Sequence, residues 1–130
     1  MPRRKLLTQA DARAMALALP EAHESSHMGT PDFRVRNRIF ATVPPTPPGR
    51  VVLKMAPANL DALVQRDSAT FHDVWGGRWV GVELARITRE ELKEFMADAW
   101  QLAAPKSLVK AQAVRSPSRL RTRGRSRLLQ

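Results

Sequence analysis

The residues His23-Glu24-Ser25-Ser26-His27 match the pattern H-E-x-x-H. On an α-helix that spacing sets two imidazoles one turn apart, where both bind a single zinc ion while the glutamate activates a metal-bound water. The chemistry needs the helix. Here the segment lies between Pro20 and Met28-Gly29-Thr30-Pro31, holds two serines and offers no apolar face, so it reads as a loop. A third protein ligand is needed as well, and the remaining histidine, His72, sits in an aromatic stretch with no motif around it. The match is read as incidental, and a zinc hydrolase is kept as the third of three functional readings. The absence of cysteine excludes thiolate nucleophiles and ligands. No serine or threonine has the sequence context of a nucleophile, and Gly76-Gly77 is not followed by the Gly-Lys-Ser/Thr that opens a phosphate-binding helix. No catalytic residue, metal ligand or cofactor is assigned, and the chain is read as non-enzymatic.

Cations form the second constellation. Arg34, Arg36 and Arg38 fall on one expected hairpin, and arginines in a row hold phosphate oxygens through paired, charge-assisted hydrogen bonds. Arg78 is a candidate to converge with them. The bland alternative is a solvated outer face. Trp75, Trp79 and Trp100 could stack on bases, although aromatic residues on strands and helices more often belong to the core.

Net charge is +10, and its distribution is uneven. Arg3, Arg4 and Lys5 stand at one end. Lys106, Lys110, Arg115, Arg119, Arg121, Arg123, Arg125 and Arg127 stand at the other. All twelve acidic residues lie between 6 and 105, so the body is close to neutral and the ends carry the excess. A concentration of arginine in the tail attracts polyanions with little specificity.

These residues must be positioned by a small fold. The 130 residues, 43% of them hydrophobic, suit one domain with one core. No stretch approaches the roughly 18 apolar residues of a spanning helix, and Met1-Pro2-Arg3-Arg4-Lys5 is followed by no sustained apolar run. No membrane attachment or export is expected, and a cysteine-free chain fits a cytoplasmic location.

Thr8 can cap a helix whose Ala12, Met15, Ala16 and Leu19 share one face, ended by Pro20. Phe33 and Val35 alternate with Arg34 and Arg36, Asn37 offers a turn, and Ile39 to Val43 is rich in strand formers. A proline-rich loop, 44–49, separates this hairpin from a third strand, Val51 to Met55. Pro57 fits the first turn of a second helix, with Leu60, Leu63 and Val64 apolar. Trp79 to Leu84 reads as a late strand in which Gly81 suggests a bulge. Thr88-Arg89-Glu90-Glu91 is a capping box, and Leu92, Phe95, Met96, Ala99 and Ala103 follow at helical spacing. Leu108, Val109 and Val114 could extend or restart a helix, and beyond them few residues can form a core. The organisation read is a folded domain over 1–108 and a basic Arg/Ser-rich tail over 109–130 that does not fold alone.

Several local signatures resemble the MmcQ/YjbR family. They are Leu19-Pro20-Glu21-Ala22, Phe33-Arg34-Val35 with Ile39-Phe40-Ala41, Leu53-Lys54, Trp79-Val80, and Trp100 with Ala104-Pro105-Lys106, and they cover most of residues 8–108. The resemblance implies an α+β fold of two layers, with helices packed on an antiparallel sheet in the order α-β-β-β-α-β(-β)-α. It also implies a shape related to type III secretion chaperones and a DNA-binding label resting on a double-wing surface. The tail is not part of the family pattern. The first functional reading is therefore a nucleic-acid-binding protein of low specificity, with DNA as the expected partner, gripping phosphate through the hairpin, Arg78, Lys106, Lys110 and the tail. The second is a peptide- or protein-interaction module.

Overall fold

The computed structural model describes residues 6–115, with side-chain environments as far as residue 112. The tail arginines Arg119, Arg121, Arg123, Arg125 and Arg127 lie outside the described residues.

Thr8 caps α1 (Gln9–Leu17) by accepting the Asp11 N–H, and the Asp11 carboxylate accepts the Thr8 N–H in return. This satisfies two backbone donors that a helix start otherwise leaves unpaired. Four strands follow: β1 (Ala22–His27), β2 (Thr30–Val35), β3 (Arg38–Thr42) and β4 (Arg50–Lys54). Then come α2 (Pro57–Arg66), β5 (Phe71–Asp73), β6 (Trp79–Glu83), a short 3-10 turn, α3 (Arg89–Ala103) and α4 (Lys106–Arg115). The strands form one antiparallel sheet in the order β1-β2-β3-β4-β6-β5.

The core follows the two-residue period of the central strands. Val51 and Leu53 of β4 lie opposite Val82 and Val80 of β6, and all four are buried beneath the helical layer. Leu92, Met96, Ala99, Trp100 and Ala103 of α3 and Ala12, Met15 and Ala16 of α1 supply that layer. Each large side chain fully withdrawn from water contributes roughly 1.5–3 kcal/mol. Trp100 also ties the layers together, because its Nε1–H donates to the Pro20 carbonyl at 3.0 Å.

The expected fold class holds, with two corrections in detail. The chain makes four strands before α2 where three were expected, because His23 to His27 form most of edge strand β1 and not a loop. β1 escapes periodicity arguments because an edge strand, mostly exposed, needs no apolar alternation. The second correction concerns Gly81, which is not a bulge: the register runs unbroken through Val52–Gly81 and His72–Gly81. The irregularity lies between β2 and β3, where Phe33 pairs Ala41 and the next residue, Arg34, pairs Ile39. Phe40 is left over, and it and Ala41 are consecutive yet both fully buried, as a bulge permits. The helix expected to extend or restart through Leu108 and Val109 is α4, with both residues packed against the core.

Candidate nucleic-acid interface

The strand register collects one set of strand ends at one end of the sheet. Ala22 of β1 pairs Val35, Val35 pairs Arg38, and Lys54 pairs Trp79. Beyond them the Met55 N–H donates to the Arg78 carbonyl at 2.9 Å. The β2–β3 turn, the start of β3, the end of β4 and the β5–β6 turn therefore share this end, with neighbouring strands about 4.8 Å apart. The Trp100–Pro20 hydrogen bond brings the C-terminal end of α3, and so the start of α4, to the same end.

Arginines on the β2–β3 hairpin do not form a free row. Arg34 donates through Nε and Nη2 to Asp32 at 2.8 and 3.1 Å, and Asp32 also bonds His27 Nδ1 at 2.8 Å. Asp32 is completely buried. Burial alone pushes its carboxyl up, but the hydrogen bonds from Arg34 and His27 outweigh this and hold it below the ordinary value of 3.8. Arg36 occupies the two-residue turn with Asn37, both at positive φ (49° and 65°), and its guanidinium clasps Glu21. Its hydrogen bond lowers the Glu21 carboxyl below its usual range. At the far end of the sheet Glu83 repeats the arrangement, accepting from Arg50 at 2.7 Å and bonding His72 Nε2 at 2.9 Å.

Two of the four body arginines singled out from the sequence remain unneutralised. Arg38 and Arg78 are exposed and have no ion pair among the described residues. Lys54, not singled out from the sequence, joins them with its Nζ 5.1 Å from the centre of the Trp79 ring. Trp75 stands edge-to-face to Trp79, with centroids 6.0 Å apart, and is 51% exposed. Trp100 is core, as aromatic residues usually are, whereas Trp75 is not. Its position beside Gly76-Gly77 was the available signal, since a large aromatic on a glycine turn has little core to enter. Lys106 and Lys110 sit one turn apart on α4, both exposed.

The H-E-x-x-H residues are set apart by β1. On a strand, positions four apart share a face but lie roughly 13 Å from each other, and His27 is already engaged by Asp32. Glu24 falls on the opposite face and pairs with Arg13 of α1. No group of three or more histidine, aspartate or glutamate residues among those described is arranged to hold a metal ion. No helix among the described residues is long and apolar enough to cross a membrane.

A family model described as YjbR matches residues 17–102. The fold is similar to the crystal structure of Deinococcus radiodurans protein DR2400, labelled with the domain DUF419. That similarity has a TM-score of 0.68 and 24% sequence identity, over 85% of this chain and 88% of that one. No curated protein matches the chain. The matched span runs from the end of α1 almost to the end of α3 and takes in every strand; on that match the chain belongs to the YjbR family.

Proposed function

We propose that the protein binds nucleic acid through phosphate contacts, and that the folded body contributes them at one end of its sheet. The observation that carries this reading is that the strand ends at one end of the sheet hold two exposed arginines without a carboxylate partner. Arg13, Arg34, Arg36, Arg50, Arg86 and Arg89 each meet a carboxylate, while Arg38 and Arg78 stand at the same end of the sheet as Lys54 with no ion pair among the described residues; Arg66 and Lys93, on α2 and α3, are unpaired as well. Unpaired guanidinium groups keep their donors for phosphate oxygens, whereas an arginine already clasped must first give up its partner. The hairpin row is thereby replaced as the expected contact surface by Arg38, Lys54 and Arg78, with the exposed Lys106 and Lys110 of α4 as further candidates. Contacts of this kind position a backbone without reading sequence, so discrimination among sequences is expected to be low.

Counterion release tests the proposal. Each phosphate neutralised on duplex DNA steepens the dependence of log K on log salt by about 0.9. Replacing Arg38 and Arg78 together with alanine should flatten the slope by about 2 and weaken all sequences alike. Slopes that coincide for the double variant and the parent, measured by titration at several salt concentrations, would remove the sheet end from the interface.

A protein-interaction reading gains less. The exposed large apolar residues among those described, Leu6, Met28, Trp75 and Leu102, stand on four different parts of the fold and do not outline one apolar surface.

A further inference from the structure

We propose that the β5–β6 turn is a stacking platform for unpaired bases, so that the sheet end takes single-stranded nucleic acid in preference to duplex; this rests on nucleic acid being the ligand. Trp75 is the stacking residue. Lys54, Arg78 and Arg38, at the same end of the sheet, are the phosphate contacts.

The turn is built to hold an indole outside the core. The Val74 N–H donates to the Trp79 carbonyl at 3.1 Å and closes the hairpin. Asp73 Oδ1 accepts the Gly77 N–H at 2.9 Å and fixes the far side of the turn. Gly76 and Gly77 have φ of +62° and +81°, values at which any side chain would be strained. Between these anchors Trp75 touches Trp79 edge-on, and about half of the residue stays in solvent. The lysine over Trp79 withdraws that ring, so Trp75 is the indole left to meet a base.

Charge and shape together select the occupant. An exposed aromatic at a sheet end that also carries Lys54, Arg78 and Arg38 matches the pattern in which bases stack while the backbone follows a basic surface. An apolar protein partner would call for more greasy surface around the indole, and the other exposed large apolar residues lie on other elements. A duplex hides the faces of its bases and offers only phosphate here. Asp73 is the acidic residue of the turn, and its bond to Gly77 commits one carboxylate oxygen to the backbone.

The test uses the full chain, a labelled thymidine oligomer of about twelve nucleotides and a duplex of equal length, within the site sizes usual for such surfaces. Trp75→Ala should lower affinity for the single strand roughly 5- to 100-fold and leave duplex affinity unchanged, while Trp75→Phe recovers most of the loss. Single-strand binding should quench tryptophan emission in the parent and much less in Trp75→Ala. A uridine oligomer should bind comparably, because stacking and phosphate contact are common to both; a strong preference for either would overturn the platform as the main contact. Single-strand affinity unchanged in Trp75→Ala would overturn it too. Binding of both oligomers with neither affinity changed by Trp75→Ala would remove the platform alone, whereas binding of neither oligomer at low salt would remove the nucleic-acid reading with it.

Discussion

Asp32 carries a full negative charge with no exposure to water, on a strand one residue from the core phenylalanine Phe33. It tolerates this because Arg34 and His27 supply the hydrogen bonds that water would have made. Its folded carboxyl titrates below the unfolded value of 3.8, so the folded state binds that proton less readily than the unfolded state. The resulting stabilisation is complete above the unfolded value and is lost as pH falls through the folded one. Glu83, lowered against its own burial by Arg50 and then His72, acts with the same sign from 4.5 downward. Denaturant unfolding between about pH 5 and pH 2 should therefore show stability falling toward acid, with a shallower fall in Asp32→Asn. Parallel acid limbs in the two proteins would show that Asp32 contributes no such linkage. Of this cluster only Arg34 was legible on a strand: the expected hairpin begins at Phe33, one residue short of Asp32, whose side chain shares a face with that of Arg34 in β2. The Arg36–Glu21 pair was not legible, because Glu21 lies at the entry to a strand that the hydrophobic pattern does not announce.

At the scale of elements, the sequence spoke clearly wherever an element buries a face or begins with a cap. α1 and α3 start at Thr8 and Thr88 because each threonine and the acidic residue three positions on satisfy each other's backbone donors. β1 and β5 were harder to see for different reasons: β1 is polar and exposed along most of its length, and β5 has only three residues. Gly81 shows the limit of reading a glycine by type alone. A Cβ there would stand 2.8 Å from Val74 Cγ2 and 3.1 Å from Arg50 Cδ, so the residue serves close packing and not a change of register. Gly81→Ala should destabilise the domain by about 1–3 kcal/mol, as overpacking does. The strain should appear first in the β5–β6 hairpin, as faster hydrogen exchange at the Val74 N–H. Adding Val74→Ala removes the nearer clash, and the double variant should regain part of the loss. Strictly additive losses, measured by denaturant unfolding, would place the cost of Gly81→Ala elsewhere.

For the whole molecule, charge is segregated between a balanced body and basic ends, and the pairing within the body sharpens that division. Five arginines, Arg119, Arg121, Arg123, Arg125 and Arg127, follow the last described helical residue, Arg115. Composition alone made that segregation legible. What it could not show is that the body also leaves cations unpaired at one end of its sheet, since this depends on which carboxylate each strand neighbour brings within reach. The two sources of charge differ in the salt response they imply. If the five distal arginines contact duplex phosphate independently, deleting residues 116–130 should flatten the slope of log K on log salt by about 4 to 5. The three cations at the sheet end would then still give about −3. Deletion should leave thermal unfolding unchanged, because it removes none of the described core. Combined with Arg38→Ala and Arg78→Ala, it should bring the slope close to that of Lys54 and the remaining lysines. An unaltered slope after deletion would mean that the tail makes no phosphate contact and that the body alone sets the electrostatics. Loss of all binding would instead mean that the body's cations act only once the tail has brought the polyanion close, as expected where a diffuse charge steers association and a fixed surface receives it.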